Sequence, residues 1–552
     1  MSRISLIVMM LVVLLFGFFL GTRVNDPKPE NEKEKKLLDA YDLIRDAYVD
    51  EINPDSLVSA GIRGMAGYLD PHTSYIEPEK ASYIQAEFNG NFDGIGIEFN
   101  LVRDTLTVVT PISGGPSSIA GIISGDRIVA IDSVSAVGLA QEEILRKLRG
   151  KQGTEVQLKI YRPVDRSLHD FVIRRGNIAT SSIDGAFKLD AETGYIRISR
   201  FIATSSDEFH AALLKLKNDG MRRLIVDLRG NPGGYLEQAV TIADEFLGKG
   251  KLIVYTRSRL GDEENLRYEA KNGGLFEEGA LVLLIDRESA SASEILAGAL
   301  QDNQRATLVG EASFGKGLVQ RQVSFPDGSV FRMTVSRYYT PSGRQIQRTY
   351  HNGVVGRNDY FNETGATWET RARRFYTSFP LYMQVGERFV YRIPEEARVS
   401  KGNMEGKDTL RVSGKGSGQT PYIDGGIIPD FWLTEKKYSP LLSQLYEVHI
   451  FDTIARRILD TPGSSVQDYR GSLSRFIDLY TEERNFDRLF ISAGVTDKIN
   501  LRPVSYRAER QNIVTSVKSA LAYQLFGSEG LVRYKILKQD EAVKVATRVP
   551  VP

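Results

Sequence analysis

Residues 280–322, ALVLLIDRESASASEILAGALQDNQRATLVGEASFGKGLVQRQ, leave a folding chain few choices. Leu281–Ile285 is an unbroken apolar run and reads as a buried strand. Small residues follow at once, Ser289-Ala290-Ser291-Ala292-Ser293. Ile295, Leu296, Ala299 and Leu300 then recur at helical spacing, so a helix starts near Ser293. A second strand, Ala306–Val309, leads into the loop 310–317, and a third, Leu318–Phe325, carries Gln320. Strand, tight turn and helix in that order mount a serine well. The hydroxyl lies near backbone N–H groups at a helix start, which favour developing negative charge.

A serine needs a base to become a nucleophile. The chain has only five histidines, none of them in this stretch, and no G-x-S-x-G elbow supports a Ser-His-Asp triad. The nearby candidate is Lys316, set between glycines in a loop that could fold inward. A desolvated lysine gives up its charge more easily, and the neutral amine accepts the serine proton. From the residues alone a second reading stays open, in which the serines cap a helix and Lys316 is a solvated loop cation.

The combination of Ser-Ala-Ser-Ala-Ser-Glu, Ala-Gly-Ala-Leu-Gln-Asp and Phe-Gly-Lys-Gly-Leu-Val-Gln resembles the carboxyl-terminal processing (tail-specific) proteases, serine peptidases of family S41. The resemblance implies a Ser-Lys dyad of Ser291 and Lys316, twenty-five residues apart, with Gln320 orienting the lysine. Ser289 and Ser293 become structural neighbours, Ser293 as a helix cap.

At 552 residues the chain is too long for one ordinary domain. A net charge of +1 argues against a dedicated nucleic-acid binder, and the absence of cysteine rules out disulfides, thiolate metal sites and a lipidated cysteine anchor. Residues 4–21, ISLIVMMLVVLLFGFFLG, are uncharged and apolar enough to cross a bilayer. They are expected to form an uncleaved signal anchor, residues 1–22, rather than a removed signal peptide. That places the body in the periplasm or otherwise outside the cytoplasm, anchored in the inner membrane. The polar residues 23–36 read as a flexible linker.

Amphipathic helices follow over Leu37–Val49 and Pro54–Leu69, within a helical region 37–87 that resembles the family's cap. His72, in Asp-Pro-His-Thr-Ser-Tyr, reads as a structural loop histidine. Residues 88–165 give short strands, a helix at 116–122, a helix at 140–148 and a last strand, Gly153–Tyr161, with Val156, Leu158 and Ile160 alternating. This order resembles a PDZ domain, β-rich with two helices. Its Gly94-Ile95-Gly96-Ile97 loop matches the place where such domains hold a peptide's C-terminal carboxylate on backbone N–H groups.

From residue 166 to 350 strands alternate with helices, which argues for an α/β core. Asp227-Leu-Arg-Gly-Asn-Pro-Gly233-Gly234 ends one strand. The resemblance implies that this loop faces the nucleophile and supplies an oxyanion donor, Gly233 with Gly234 the alternative, beside the N–H of Ala292. Pro232 has no N–H to offer. Residues 351–419 break the family pattern and read as an insertion without an assigned role; the pattern returns at 420–435. Residues 436–552 read as a helical extension whose final residues look loosely ordered.

The expected fold is therefore multidomain α/β, with a transmembrane helix, helical cap, PDZ domain, crotonase/ClpP-like protease core and C-terminal helical region. The expected function is a serine endopeptidase that cleaves exported proteins at or near free C-termini. It needs no metal or organic cofactor, and its partners are peptide substrates and, through the N-terminal helix, a membrane. The alternative is an inactive PDZ scaffold, against which the intact Ser291, Lys316 and Gln320 set argues.

Overall fold

The computed structural model describes residues 32–552 except 103, 113, 164, 262–264, 272, 352, 362–364, 399–422, 497–498 and 500–501. The chain divides into two units, 1–69 and 70–552. The first contains α1 (Glu32–Ala47) and α2 (Pro54–Tyr68). α2 begins where its sequence directs: the Asn53 side chain accepts the Ser56 N–H at 3.0 Å and Pro54 takes the first helical position. Glu32–Lys36, expected in the linker, open α1.

The expected transmembrane helix is corrected. No helix among the described residues is long and apolar enough to cross a membrane. Residues 4–21, on which the expectation rested, lie outside the described residues.

In the second unit, β1 (Ser74–Ile76) and α3 (Pro78–Phe88) lead into a β-rich segment. It comprises β2 (Asn91–Gly94), β3 (Ile97–Val102), β4 (Thr105–Pro111), α4 (Pro116–Ile119), β5 (Arg127–Ile131), β6 (Val134–Ser135), α5 (Gln141–Leu148), β7 (Glu155–Arg162), β8 (Ser167–Arg174) and β9 (Gly176–Ala179). The sheet order is β3-β4-β5-β7-β8, with β6 on β5, while β2 pairs with β9. β3 is an edge strand. Val156, Leu158 and Ile160 of β7 point inward with Leu106, Val108 and Ile128 onto Ile144 and Leu148 of α5. β7 is not the last strand: β8 pairs along its whole length. His169 and Asp170 hide β8 in the sequence by interrupting its apolar residues.

The core follows: β10 (Ile183–Lys188), β11 (Thr193–Ile198), α6 (Ser205–Asn218), β12 (Arg223–Asp227), α7 (Leu236–Asp244), β13 (Leu252–Ser258), β14 (Arg267–Glu269), β15 (Ala280–Ile285), α8 (Ala292–Asp302), β16 (Thr307–Gly310), β17 (Leu318–Ser324) and β18 (Val330–Tyr339). The main sheet runs β10-β11-β12-β15-β16, parallel from β11 onward. Its central strands β12, β15 and β16 are largely apolar because both faces are covered. Leu224, Val226, Leu281, Leu283 and Ile285 pack under α6, α7 and α8. Ile225, Val282 and Leu284 face the other way, into a second core. A smaller antiparallel sheet joins β1, β18, β13 and β14, with β17 paired to β18.

The segment that interrupts the family pattern extends the main sheet. After α9 (Gly353–Phe361) and α10 (Gly365–Tyr376) come β19 (Leu381–Val385), β20 (Arg388–Arg392) and the short α11 (Glu395–Arg398). β21 (Phe431–Leu433) pairs parallel with β16, and β20 and β19 add antiparallel beyond it. The C-terminal region is helical: α12 (Pro440–Glu447), α13 (Ile450–Asp460), α14 (Leu473–Leu479), α15 (Phe486–Thr496), α16 (Pro503–Lys538) and α17 (Glu541–Ala546). The expectation of a loose C-terminal tail is corrected. Ala542, Val543, Val545, Ala546 and Val549 fill the second core, and Arg223 Nη2 donates to the carbonyls of Ala546 and Val549 at 2.6 and 2.9 Å.

Candidate active site

β15 delivers the chain to a turn in which Ser291 takes φ 55°, ψ −112° and stands as the N-cap of α8. A serine in this region is strained by about 1–3 kcal/mol and persists only where its surroundings over-determine it. Here they do. Its N–H donates to Glu294 Oε2 at 2.8 Å. Its carbonyl accepts from the N–H groups of Glu294 and Ile295 at 2.9 and 3.0 Å, and from the Tyr338 hydroxyl at 3.1 Å.

The three serines of the run are not equivalent. Ser289 and Ser293 are fully buried, and their hydroxyls donate to the carbonyls of Leu228 and Asn231 at 2.9 and 3.0 Å. Ser293 therefore ties the turn to the glycine-rich loop rather than capping the helix. Ser291 lines a cleft of about 650 Å³ together with Gly233, Gly234, Lys316 and Gln320.

Lys316 arrives on the loop after β16, and Glu294 fixes that loop to the serine turn. Besides the Ser291 N–H, its buried carboxylate accepts the Ser313 hydroxyl at 2.6 Å and the N–H groups of Gly315 and Lys316 at 2.7 and 2.8 Å. Burial pushes the Glu294 carboxyl above the usual range against the pull of these four donors. The single Tyr338 O–H is shared between the Ser291 carbonyl and the Lys316 carbonyl, the latter the nearer of the two. Glu294 and Tyr338 are the site residues that sequence reasoning missed. For Glu294 a signal existed: it stands three residues after Ser291, the S-x-x-E spacing of a capping box.

Burial holds the Lys316 ammonium below the ordinary lysine value of 10.5; Arg332 adds to this, while Glu294 and Asp70 oppose it. Its Nζ donates to Gln320 Oε1 at 3.2 Å, and Gln320 Nε2 donates to the His72 carbonyl at 2.6 Å. Ser291 and Lys316 share the cleft, but among the described residues no hydrogen bond joins Ser291 Oγ to Lys316 Nζ. The His72 ring is held near a pKa of about 3, first by its burial and then by the charge of Lys316. It stays neutral at ordinary pH, and its Nε2 lies 3.1 Å from the Tyr360 hydroxyl.

The glycine-rich loop lies against the serine turn. A Cβ on Gly233 (φ 98°) would come within 2.7 Å of the Ala290 carbonyl and 2.8 Å of Ser291 Cβ; one on Gly234 would meet the Phe201 carbonyl at 1.9 Å. Only glycine fits either position. The Gly233 N–H donates to Asn231 Oδ1 at 2.8 Å. Among the described residues, the N–H groups of Gly234 and Ala292 have no partner.

In the β-rich domain, Gly94 ends β2, Ile97 opens β3, and Ile95 and Gly96 form the turn between them. Ile95 is buried in that domain's core and Ile97 packs against it. The carbonyls of Ile95 and Gly96 accept from Ser117 and Ile112, both at 3.0 Å. Among the described residues their N–H groups are unpartnered, beside the open edge of β3. No group of three or more His, Cys, Asp or Glu side chains among the described residues is placed to hold a metal ion.

A serine on a strained turn, a buried lysine and a domain with an open strand edge define a serine peptidase that carries its own peptide-binding module. Comparison with known proteins agrees. The model of peptidase family S41 matches residues 192–355, the PDZ domain model residues 94–172, and that of the activating protease CtpB N-terminal domain residues 21–80. The carboxy-terminal-processing protease of Bartonella bacilliformis is 38% identical over 314 residues, covering 56% of this chain and 71% of that protein. The carboxyl-terminal-processing protease of Synechocystis is 35% identical over 343 residues, covering 57% and 79%. Among solved structures, the photosystem II D1 C-terminal processing protease aligns at 27% identity over 56% of this chain and 89% of that one, with a TM-score of 0.33. The chain belongs to the carboxyl-terminal processing proteases, PDZ-containing serine peptidases of family S41.

Proposed function

We propose that Ser291 is the nucleophile and Lys316 its base. The observation that carries this is the lysine itself: buried, depressed in pKa, and tied at 3.2 Å to Gln320 in the cleft that Ser291 lines. Neutral Lys316 takes the Ser291 proton, and Oγ attacks the scissile carbonyl. The Ala292 N–H, at the start of α8, and a glycine N–H hold the oxyanion, each worth ~3 kcal/mol. Gly234 stands ahead of Gly233 as that second donor, because the Gly233 N–H must first leave Asn231. Lys316 then protonates the departing amine, and water hydrolyses the acyl-enzyme.

The N–H groups of Ile95 and Gly96, unpartnered among the described residues, support the further reading that the PDZ domain takes the substrate's C-terminal carboxylate, with the client added as a strand to β3. Because Ile95 is buried, it serves through its backbone, and Ile97 lies beside the incoming side chain. Exported proteins with free, apolar C-termini are the proposed clients, and a location outside the cytoplasm, read from the sequence alone, belongs to the same proposal.

Cleavage of an unfolded protein by single variants tests the dyad. Ser291→Ala and Lys316→Ala should each lose on the order of 10⁴-fold or more in kcat, as for other nucleophile–base pairs. Lys316→Arg should fail equally, because a guanidinium stays protonated. Near-normal turnover by Lys316→Arg would rule out a lysine base.

A further inference from the structure

We propose that helix α9, in the segment between the two family-like parts of the chain, is a positioning element for Lys316. It acts through the Asp70–Thr73 turn, and Arg357 is the residue that carries the effect. The inference rests on Lys316 being the base.

Gln320 is useful to Lys316 only one way round. A primary amide has an accepting end and a donating end, and an ammonium or amine N–H needs the former. The bond from Gln320 Nε2 to the His72 carbonyl, 2.6 Å, fixes the donating end, so Oε1 faces Lys316 Nζ. Without that carbonyl the amide is free to turn and present its NH₂ to the lysine. The placement of one backbone carbonyl therefore decides whether the base is held.

The His72 carbonyl lies in a turn tied on two sides. Toward the small sheet, Asp70 Oδ1 accepts the N–H groups of His72 and Thr73 at 2.9 and 3.1 Å and the Thr334 hydroxyl at 3.0 Å. Thr334 is the β18 partner of Gln320 itself. Toward α9, Arg357 Nη2 donates to the carbonyls of Asp70 and Thr73, at 3.0 and 2.5 Å, one on either side of His72. The Tyr360 hydroxyl meets His72 Nε2 at 3.1 Å, and the two rings pack edge to face at 5.2 Å.

Arg357 lines neither the 650 Å³ cleft nor the adjoining 560 Å³ cavity that Lys316 also borders. Among the described residues, its hydrogen bonds lead to the lysine through the turn and Gln320. Tyr360 and Phe361 border that second cavity, so substituting them would confound positioning with substrate binding.

A double-mutant cycle on the full-length protein tests this, with kcat, KM, the pH profile and the melting temperature measured for Arg357→Ala, Gln320→Ala and the pair. Each single variant is expected to lower kcat about tenfold or more at nearly constant KM, since a misplacement of about 1 Å costs up to ~10²-fold. The double variant should be no slower than the slower single one. Arg357→Ala should also shift the midpoint of the kcat–pH profile in the same direction as Gln320→Ala, which a general loss of stability would not do. If Arg357→Ala does not fold, Arg357→Gln, which keeps a donor for one carbonyl, takes its place in the cycle. Losses that multiply, or an Arg357 variant with wild-type kcat, overturn the proposal. A wild-type rate for Gln320→Ala overturns the reading of the site beneath it as well.

Discussion

The turn that carries Ser291 and the loop Gly94–Ile97 are both proposed to offer backbone N–H groups to a peptide, yet they are built differently. At Ser291 the N–H and carbonyl are both engaged, by Glu294, Ile295 and Tyr338, and the residue is forced to φ 55°. At Ile95 and Gly96 the carbonyls are anchored while, among the described residues, the N–H groups have no partner. A reacting atom has to be held to a fraction of an ångström, so its backbone is over-determined and strained. A loop proposed to accept one end of many different chains needs a fixed frame and unsatisfied donors, which favour the negative charge of a free carboxylate. Ala292 belongs to both types: its carbonyl side is helix, its N–H has no partner among the described residues, and it stands one residue from the proposed nucleophile.

The strongest way to break this contrast is to remove the clamp. Glu294→Ala leaves the N–H groups of Ser291, Gly315 and Lys316 and the Ser313 hydroxyl without their buried acceptor. The expected cost is ~3 kcal/mol or more of stability together with loss of turnover, read by denaturant unfolding alongside the cleavage assay. A variant with normal stability and rate would show that the turn holds itself.

Gly233→Ala is gentler on the fold and hard on the site. The added methyl group meets the Ala290 carbonyl and Ser291 Cβ, pushing the glycine-rich loop off the nucleophile. A fall of about 10²-fold in kcat, the worth of one oxyanion donor, is expected with little change in KM.

The smallest effect belongs to the open loop. Substrates ending in a free apolar residue should be cleaved about tenfold faster than the same chains amidated, the value of one charge-assisted hydrogen bond. Equal rates would mean that the PDZ loop does not read the chain end, and the contrast between the two loops would lose its functional meaning.

The sequence conveyed the candidate reacting groups better than what surrounds them. β15 and β16 are legible because parallel strands buried on both faces read as short apolar runs. Ser291, Lys316 and Gln320 lie close together in the chain. Glu294 looked like an ordinary polar residue on a helix, and only the fold shows that it is buried under four donors. The link from α9 to Lys316 joins residues more than 280 positions apart, such as Asp70 and Arg357, and no local pattern records such a contact. The C-terminal tail was misread for a related reason. Its small apolar residues, from Ala542 to Val549, form a pattern too weak to stand alone, and they are ordered by the open second face of the sheet they cover.

The most direct test of the account is the pH dependence of Ser291 labelling by a serine-reactive fluorosulfonyl or phosphonate probe, mapped by mass spectrometry in the wild type and in Lys316→Ala. A base with a depressed pKa is neutral above that pKa and is lost as pH falls through it. Labelling should therefore concentrate on Ser291 and rise with pH to a midpoint below 10.5 set by Lys316, with no limb near 6.5 because His72 is neutral down to about 3. It should vanish in Lys316→Ala. A probe found on another residue, or Ser291 labelled as fast and with the same pH profile in Lys316→Ala, would contradict the claim that Lys316 activates Ser291.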